Sequence, residues 1–131
     1  MGCLWRICFA WTDRASTDRA SGNIGHGLVR GFGFKRGAVA SSVAHDSHNI
    51  VAAGMSTAEI LKAVKTVVKM KGGLAVVVGD QVLAELNLPI AGLMSLSSAR
   101  EVAAAGKKLR RAVRETGCVV EDPFMILSFL A

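Results

Sequence analysis

Short apolar runs are the feature of this sequence that most constrains its fold. Runs of this length predict buried strands, and none approaches the roughly 18 apolar residues that a membrane-spanning helix needs. The runs occupy residues 38–44, 50–54, 74–78 and 82–86. Since Gly79-Asp80-Gln81 separates the last two runs, they predict a β-hairpin over 74–86.

Two helix-start signals lie between and after these runs. The pattern Ser-x-x-Glu occurs at 56–59 and again at 98–101, and each copy precedes apolar residues at helical spacing. In such a capping box the serine hydroxyl accepts a bond from the glutamate amide, and the glutamate reaches back. Gly72 and Gly117 are suitable helix ends. We therefore expect mixed α/β (α+β) layers with several strands, two main helices and a hairpin.

Composition favours one packed domain with a basic surface. The chain has 131 residues, is 51% hydrophobic and carries a net charge of +6. A basic cluster lies on the second predicted helix and consists of Lys107, Lys108, Arg110, Arg111 and Arg114. Because no aromatic residues are interleaved there for base stacking, we interpret the cluster as a solvated helix face, and a nucleic-acid partner is not expected.

The cysteines indicate a reducing compartment. There are three of them, an odd number, and no C-x-x-C pattern occurs. This excludes a disulfide scaffold and a zinc finger as the organising principle and favours the cytoplasm. Cys118 follows Gly117, where the second helix is predicted to end, and we expect it to be a buried structural thiol.

The first 20 residues differ from the rest. They hold both tryptophans and two of the three cysteines, and Arg6 interrupts their apolar part. We expect residues 1–20 to be an unmatched, disordered or non-native leader and residues 21–131 to form the domain. The glycine-rich segment that follows lacks the GK[ST] of a phosphate loop. Leu28-Val29 with Phe32 and Phe34 predicts a strand there instead.

The polar stretch HDSHN follows the predicted strand 38–44. His45 and His48, with Asp46 between them, are residue types that bind Zn, Mn or Fe, although three-residue spacing is a weak metal signal. A histidine paired with an aspartate can also exchange protons near neutral pH. A third interpretation is a polar turn whose side chains cap backbone groups. The residues alone leave the three alternatives open.

Three long blocks resemble the C-terminal domain of microbial adenine deaminases. They are GNIGHGLVRGFGFKRGAVASSVAHDSHNIVAAG at 22–54, VLAELNLPIAGLMS at 82–95 and EDPFMILSFLA at 121–131. The blocks occur in the family's order and spacing, so the resemblance covers about residues 21 to 131. It also implies that the domain is truncated at its end.

The resemblance implies a metal-dependent hydrolase of the amidohydrolase superfamily, converting adenine and water to hypoxanthine and ammonia in purine metabolism. Its divalent metal, Mn or Fe, belongs to a (β/α)₈ barrel, which needs about 250 residues. A chain of 131 residues cannot contain that barrel. We therefore expect an inactive fragment that binds no metal itself.

The expected partners of this fragment are the missing barrel, adenine in the intact enzyme and, as an alternative, further copies of itself. No contact with a membrane is expected. The alternative is a stand-alone α/β module that binds a small molecule or a partner.

The resemblance also suggests where the domain meets substrate. No residue is assigned as catalytic with certainty. The HDSHN residues are expected to line the substrate pocket or to contact the residues that line it. His45 and His48 are weak candidates for metal ligands. These residues are His45, Asp46, Ser47, His48 and Asn49. The segment 88–95 either shapes the pocket or packs against the barrel, with a purely structural role as its alternative.

Overall fold

The described part of the chain forms two antiparallel sheets and three helices. A computed structural model describes residues 5–8, 26–43 and 50–130. In chain order the elements are β1 (Trp5–Cys8), β2 (His26–Val29), β3 (Ala38–Ser41), β4 (Val51–Gly54), α1 (Thr57–Lys69), β5 (Gly73–Val78), β6 (Gln81–Asn87), α2 (Ala99–Glu115) and α3 (Pro123–Leu130). The main sheet has the order β4-β3-β5-β6, and β1 pairs with β2. The predicted mixed α+β class is confirmed, and the described strands form no barrel.

Helices cover both faces of the main sheet. Ala38 and Ala40 of β3 pack in a cluster with α1, whereas Val39 between them packs with residues of α2 and α3. An antiparallel sheet commonly leaves one face in water and then alternates apolar with polar residues. Since both faces are covered here, β3 and β4 are buried at every position. This explains why the sequence shows continuous apolar runs.

The strand order makes a split β-α-β unit around β3. Both β4 and β5 pair antiparallel with β3, so they run parallel to each other, and α1 connects them across one face. Alanines supply much of the contact between sheet and helix, which lets α1 lie close to the strands. They are Ala38, Ala40, Ala52, Ala63 and Ala75.

The predicted hairpin, the two predicted helix starts and the predicted burial of Cys118 are confirmed. The hairpin forms with Gly79 and Asp80 in its turn, and α1 and α2 begin directly after Ser56 and Ser98. Ser98 and Glu101 form the complete capping box. The expected burial of Cys118 is also confirmed, at 8% exposure.

Two sequence expectations differ from the structure. β2 ends at Val29, and Phe32 and Phe34 lie in an irregular segment where their rings stack with centroids 5.6 Å apart. Their burial explains why the segment is apolar without being a strand. The last apolar stretch forms a third helix, α3, of 8 residues, which the sequence left unassigned. This stretch is apolar on nearly every side, so it carried no helical periodicity to detect.

Within residues 1–20, Trp5–Cys8 form β1, which pairs antiparallel with β2. Residues 1–4 and 9–25 lie outside the described part of the chain, so the assignment of a leader remains a prediction. None of the helices in the described part is long and apolar enough to cross a membrane.

Glu59 links three elements at one end of the main sheet. Its carboxylate accepts bonds from the backbone N–H of Gly37 before β3 and from that of Gly79 in the hairpin turn, each at 3.1 Å. It also accepts from the Ser56 hydroxyl at 3.1 Å. Instead of reaching back to the Ser56 backbone, as the sequence predicts, this glutamate bonds groups that only the tertiary fold brings near. Its position in the first turn of α1 also suits the helix dipole.

Replacing Glu59 by alanine should lower the free energy of unfolding by about 2 kcal/mol, because two backbone donors lose a charged acceptor. Urea denaturation of the purified chain measures this change. Glu85→Ala on the exposed edge strand β6 is the matched control and should change stability by less than about 0.5 kcal/mol. Equal effects of the two variants would contradict the structural role of Glu59.

Glu101 provides a pH-dependent test of the α2 capping box. Hydrogen bonds from the Ser98 backbone N–H and hydroxyl lower the pKa of its carboxyl. A carboxyl whose pKa is lowered on folding stabilises the fold above its unfolded pKa, and this contribution is lost as pH falls through the folded pKa. Ser98→Ala should therefore raise the Glu101 pKa in a carboxyl NMR titration, whereas Ser97→Ala should not. An unchanged Glu101 pKa in Ser98→Ala would refute the capping contact.

Candidate functional site

One end of the main sheet gathers both segments that the sequence singles out. β3 ends at Ser41, which lies opposite Val51 of β4 and Leu74 of β5. The connection that carries HDSHN leaves from here. β6 ends at Asn87 opposite Gly73 at this same end, and the segment 88–95 follows it. The sheet register therefore brings the starts of both segments to the same end of the strands, although the segments are far apart in sequence.

The HDSHN residues themselves lie outside the described part of the chain. Residues 44–49 include His45, Asp46, Ser47, His48 and Asn49. Their predicted roles in the pocket or at a metal stay predictions. The two residues that enter the segment, Ser42 and Val43, and Ile50, which follows it, are described.

Ser42 connects the end of β3 to the segment 88–95. Its hydroxyl donates to the Gly92 carbonyl at 2.7 Å and accepts from the Gly73 N–H at 2.8 Å. The Ser42 N–H donates in turn to the Gly73 carbonyl at 3.0 Å. The segment 88–95 is held beside the strand that leads into HDSHN.

Glycine is required where the segment 88–95 meets the sheet. A Cβ at Gly72, whose φ is +124°, would overlap the Gly92 Cα and lie 2.9 Å from the Leu88 carbonyl oxygen. Leu88 also donates its N–H to the Gly72 carbonyl at 3.0 Å. Two backbone segments thus lie in direct contact, so position 72 has no room for a side chain. At Gly92, whose φ is +71°, a Cβ would lie 3.0 Å from the Ser42 hydroxyl oxygen. This packing supports the structural alternative for residues 88–95.

A cleft of about 250 Å³ opens at this end of the sheet, on the face covered by α2 and α3. Val43, the last described residue before HDSHN, lines it. The remaining apolar wall consists of Leu74, Leu86, Leu109, Val113, Pro123, Phe124 and Met125, together with Gly106. Arg110, Glu121 and Asp122 also line the cleft and are exposed.

Three of the polar side chains along the cleft are bonded within the domain. The Ser41 hydroxyl accepts from the Val43 N–H at 3.0 Å, and the Ser128 hydroxyl donates to the Met125 carbonyl at 2.6 Å. Asp122 accepts from the Met125 N–H at 3.0 Å at the start of α3. What the cleft offers a partner is an apolar wall with charges of both signs beside it. Such a surface can bind a partner.

The described residues do not fit the metal that the resemblance implies. Across residues 5–8, 26–43 and 50–130, no three histidine, cysteine or carboxylate side chains lie close enough to hold an ion. Cys118 is no substitute, because burial raises the pKa of its thiol and keeps it protonated. No step of a metal-dependent reaction can be built on the residues that are described.

The basic cluster on α2 is exposed, as the sequence predicts. Its five side chains point away from the buried stripe of Leu109, Ala112 and Val113. Arg110 reaches the cleft, and the others cover the outer surface of the helix. The described structure therefore supports a solvated face for this cluster.

Comparison with known proteins identifies the family. Residues 9–131 match the adenine deaminase C-terminal domain. This chain belongs to that family. It is 50% identical over 111 residues to the adenine deaminase of Dehalococcoides mccartyi and 53% identical over 112 residues to adenine deaminase 2 of Carboxydothermus hydrogenoformans. Each match covers 85% of this chain but only 19% or 20% of the relative. The chain thus spans about a fifth of the length of these relatives.

Sequence reasoning missed the cleft and the role of Ser42. Both depend on residues from β3, β5, β6, α2 and α3 meeting at one edge, which no local pattern encodes. One signal was available. Gly106 lies in the middle of a helix otherwise rich in alanine, arginine and lysine, where glycine is an unfavourable choice.

Ser42→Ala should lower the free energy of unfolding by about 2 kcal/mol, since the Gly73 N–H and the Gly92 carbonyl lose their shared partner. The Gly73 amide should also exchange its hydrogen faster, which NMR-detected exchange measures directly. Ser97→Ala, an exposed serine, is the control and should leave both quantities unchanged. A Gly73 amide that exchanges at the parent rate in Ser42→Ala would contradict the proposed contact.

Proposed function

We propose that this chain acts as the C-terminal domain of an adenine deaminase and contributes the HDSHN segment to the substrate end of a metal-bearing barrel. Adenine is the proposed substrate of the assembled enzyme. The observation that carries the proposal is the match of residues 9–131 to the family, at about 50% identity to relatives about five times longer. The proposal is supported by the strand ends that lead into HDSHN and into the segment 88–95, because Ser41 and Asn87 lie at the same end of the main sheet.

The residues available in each part of the enzyme decide which part is proposed to hold the metal ion. A divalent ion, Mn or Fe, would supply an activated water for attack on the purine carbon that bears the amino group. The described residues offer no ligand set for that ion, so we place it in the remainder of the enzyme. This chain alone is therefore proposed to be inactive. The odd cysteine count and the buried thiol of Cys118 fit the proposed cytoplasmic location.

HDSHN is proposed to contact or support the substrate. A histidine with a neighbouring aspartate can hold or move a proton near neutral pH, which the loss of ammonia requires. Ala44 alone separates the segment from Val43 in the sequence, and Val43 lines the cleft. A role at the open end of the sheet is consistent with the opposite end being occupied by the Glu59 contacts.

A second candidate function is a stand-alone binding module for a small molecule. The cleft favours it, because its wall is mainly apolar and includes Val43, the last described residue before HDSHN. Calorimetric titration of the purified chain with adenine, with and without Mn²⁺, separates the two functions. Saturable heat without any other polypeptide would favour the module, and no heat would favour the enzyme domain.

The proposed function can be tested with a full-length chimera. In it, this chain replaces the matching C-terminal fifth of the Carboxydothermus enzyme. We expect the chimera to convert adenine to hypoxanthine, followed by ultraviolet absorbance, whereas this chain alone, loaded with Mn²⁺ or Fe²⁺, shows no turnover. Turnover by the chain alone, or an inactive chimera beside an active parent enzyme, would sink the proposal.

The role of HDSHN is tested by histidine variants of the same chimera. His45→Ala and His48→Ala should each lower kcat/KM at least about tenfold if they assist proton transfer or hold the substrate. His26→Ala is the matched control, because His26 lies in β2 and outside HDSHN. We expect its kcat/KM to equal that of the parent. If all three variants behave alike, HDSHN is a structural turn.

A further inference from the structure

Gly106 occupies a helix position where no contact among the described residues requires glycine. It lies within α2, Ala99–Glu115, where alanine is the favoured small residue. A Cβ built on Gly106 would meet no atom of the described residues within 4 Å. Glycine at Gly72, in contrast, is explained by direct backbone contact. The free space at Gly106 opens into the cleft, because Gly106 is one of its lining residues.

The cleft has the size and the chemistry of a pocket that accommodates a side chain of a partner. Its volume of about 250 Å³ is below the roughly 300–1,000 Å³ of most small-molecule pockets. Its walls are mainly apolar, and its hydroxyls are already bonded within the domain. Protein interfaces are centred on such apolar pockets, each filled by an anchoring side chain and surrounded by a polar rim. Arg110, Glu121 and Asp122 have the position and mixed charge of that rim.

The apolar surface continues from the cleft onto α3. Met125 lines the cleft and is 56% exposed, and Ile126, next to it in the helix, is 41% exposed. Large apolar side chains that adjoin a pocket extend the area available to a partner beyond the pocket itself. Met125 therefore extends the apolar wall of the cleft to the exposed surface of α3.

The comparisons indicate what covers this surface. The relatives carry about four fifths of their length outside the matched region, so in them this domain is part of a much longer chain. We propose that the cleft between the sheet, α2 and α3 receives an apolar anchor side chain from the remainder of an adenine deaminase. Gly106 leaves the space that this side chain fills. The inference rests on the proposed function and specifies the face through which the domain docks.

Filling the cleft tests the inference in the full-length chimera described above. Gly106→Leu places a side chain in the proposed pocket. Ala104→Leu is the matched control and adds leucine to the exposed surface of the same helix. We expect Gly106→Leu to speed proteolytic cleavage at the domain junction about tenfold, as a lost anchor contact would. Ala104→Leu should be cleaved at the parent rate. Circular dichroism of the isolated chain shows whether each variant keeps its fold.

A second pair of variants removes a contact without filling the cleft. Met125→Ser lies on the proposed surface, and Leu61→Ser replaces a half-exposed leucine of α1 on the opposite side of the sheet. Junction cleavage should increase in Met125→Ser and remain unchanged in Leu61→Ser. Because Met125 is exposed, this pair remains informative if Gly106→Leu fails to fold.

The outcomes separate this inference from the proposed function. An active chimera whose Gly106→Leu and Met125→Ser variants are cleaved like the parent overturns the docking face and leaves the proposed function standing. An inactive, rapidly cleaved parent chimera overturns both. If the isolated chain sediments as a dimer and Gly106→Leu makes it monomeric, the occupant is a second copy, which also overturns the inference.

Discussion

Burial of β3 between two neighbouring strands and two helical layers is the constraint on which the structure depends. Ala38, Val39 and Ala40 have no exposed surface, and the hydroxyl-bearing Ser41 that ends the strand has none either. A strand with both faces covered cannot present functional side chains from its middle. Polar and reactive groups must therefore lie at its two ends, where the chain leaves the sheet.

The two ends of the sheet are used differently. At one end, the Glu59 carboxylate accepts hydrogen bonds from the backbone before β3 and from the turn after β5. One carboxylate thus connects α1 to both of these segments. At the other, Ser42 joins β3, β5 and the segment 88–95, and the cleft opens beside it. A rigid support at the start of a connecting segment is how many proteins position residues that touch a ligand. The HDSHN segment starts from such a support.

The surface of the domain also differs between its sides. The outer face of α2 is strongly basic, whereas the neighbouring start of α3 exposes Met125 and Ile126. Exposing apolar side chains at a cleft is unfavourable for an isolated domain, but it is ordinary for a part of a larger chain. Together with relatives about five times longer, this asymmetry fits the proposed contact with the remainder of an adenine deaminase.

The sequence by itself determined the local elements. The hairpin at 74–86, the two capped helices and the buried strands follow from turn residues, capping boxes and apolar runs, which act within a few residues. The family also followed from the sequence, because long literal blocks carry it. Only the tertiary structure decided what meets at the open end of the sheet. The Ser42 contact with Gly92 joins residues 50 positions apart, and the cleft combines strand ends with α2 and α3. Such contacts depend on the strand order β4-β3-β5-β6 and on close packing of small residues, and no local pattern specifies either.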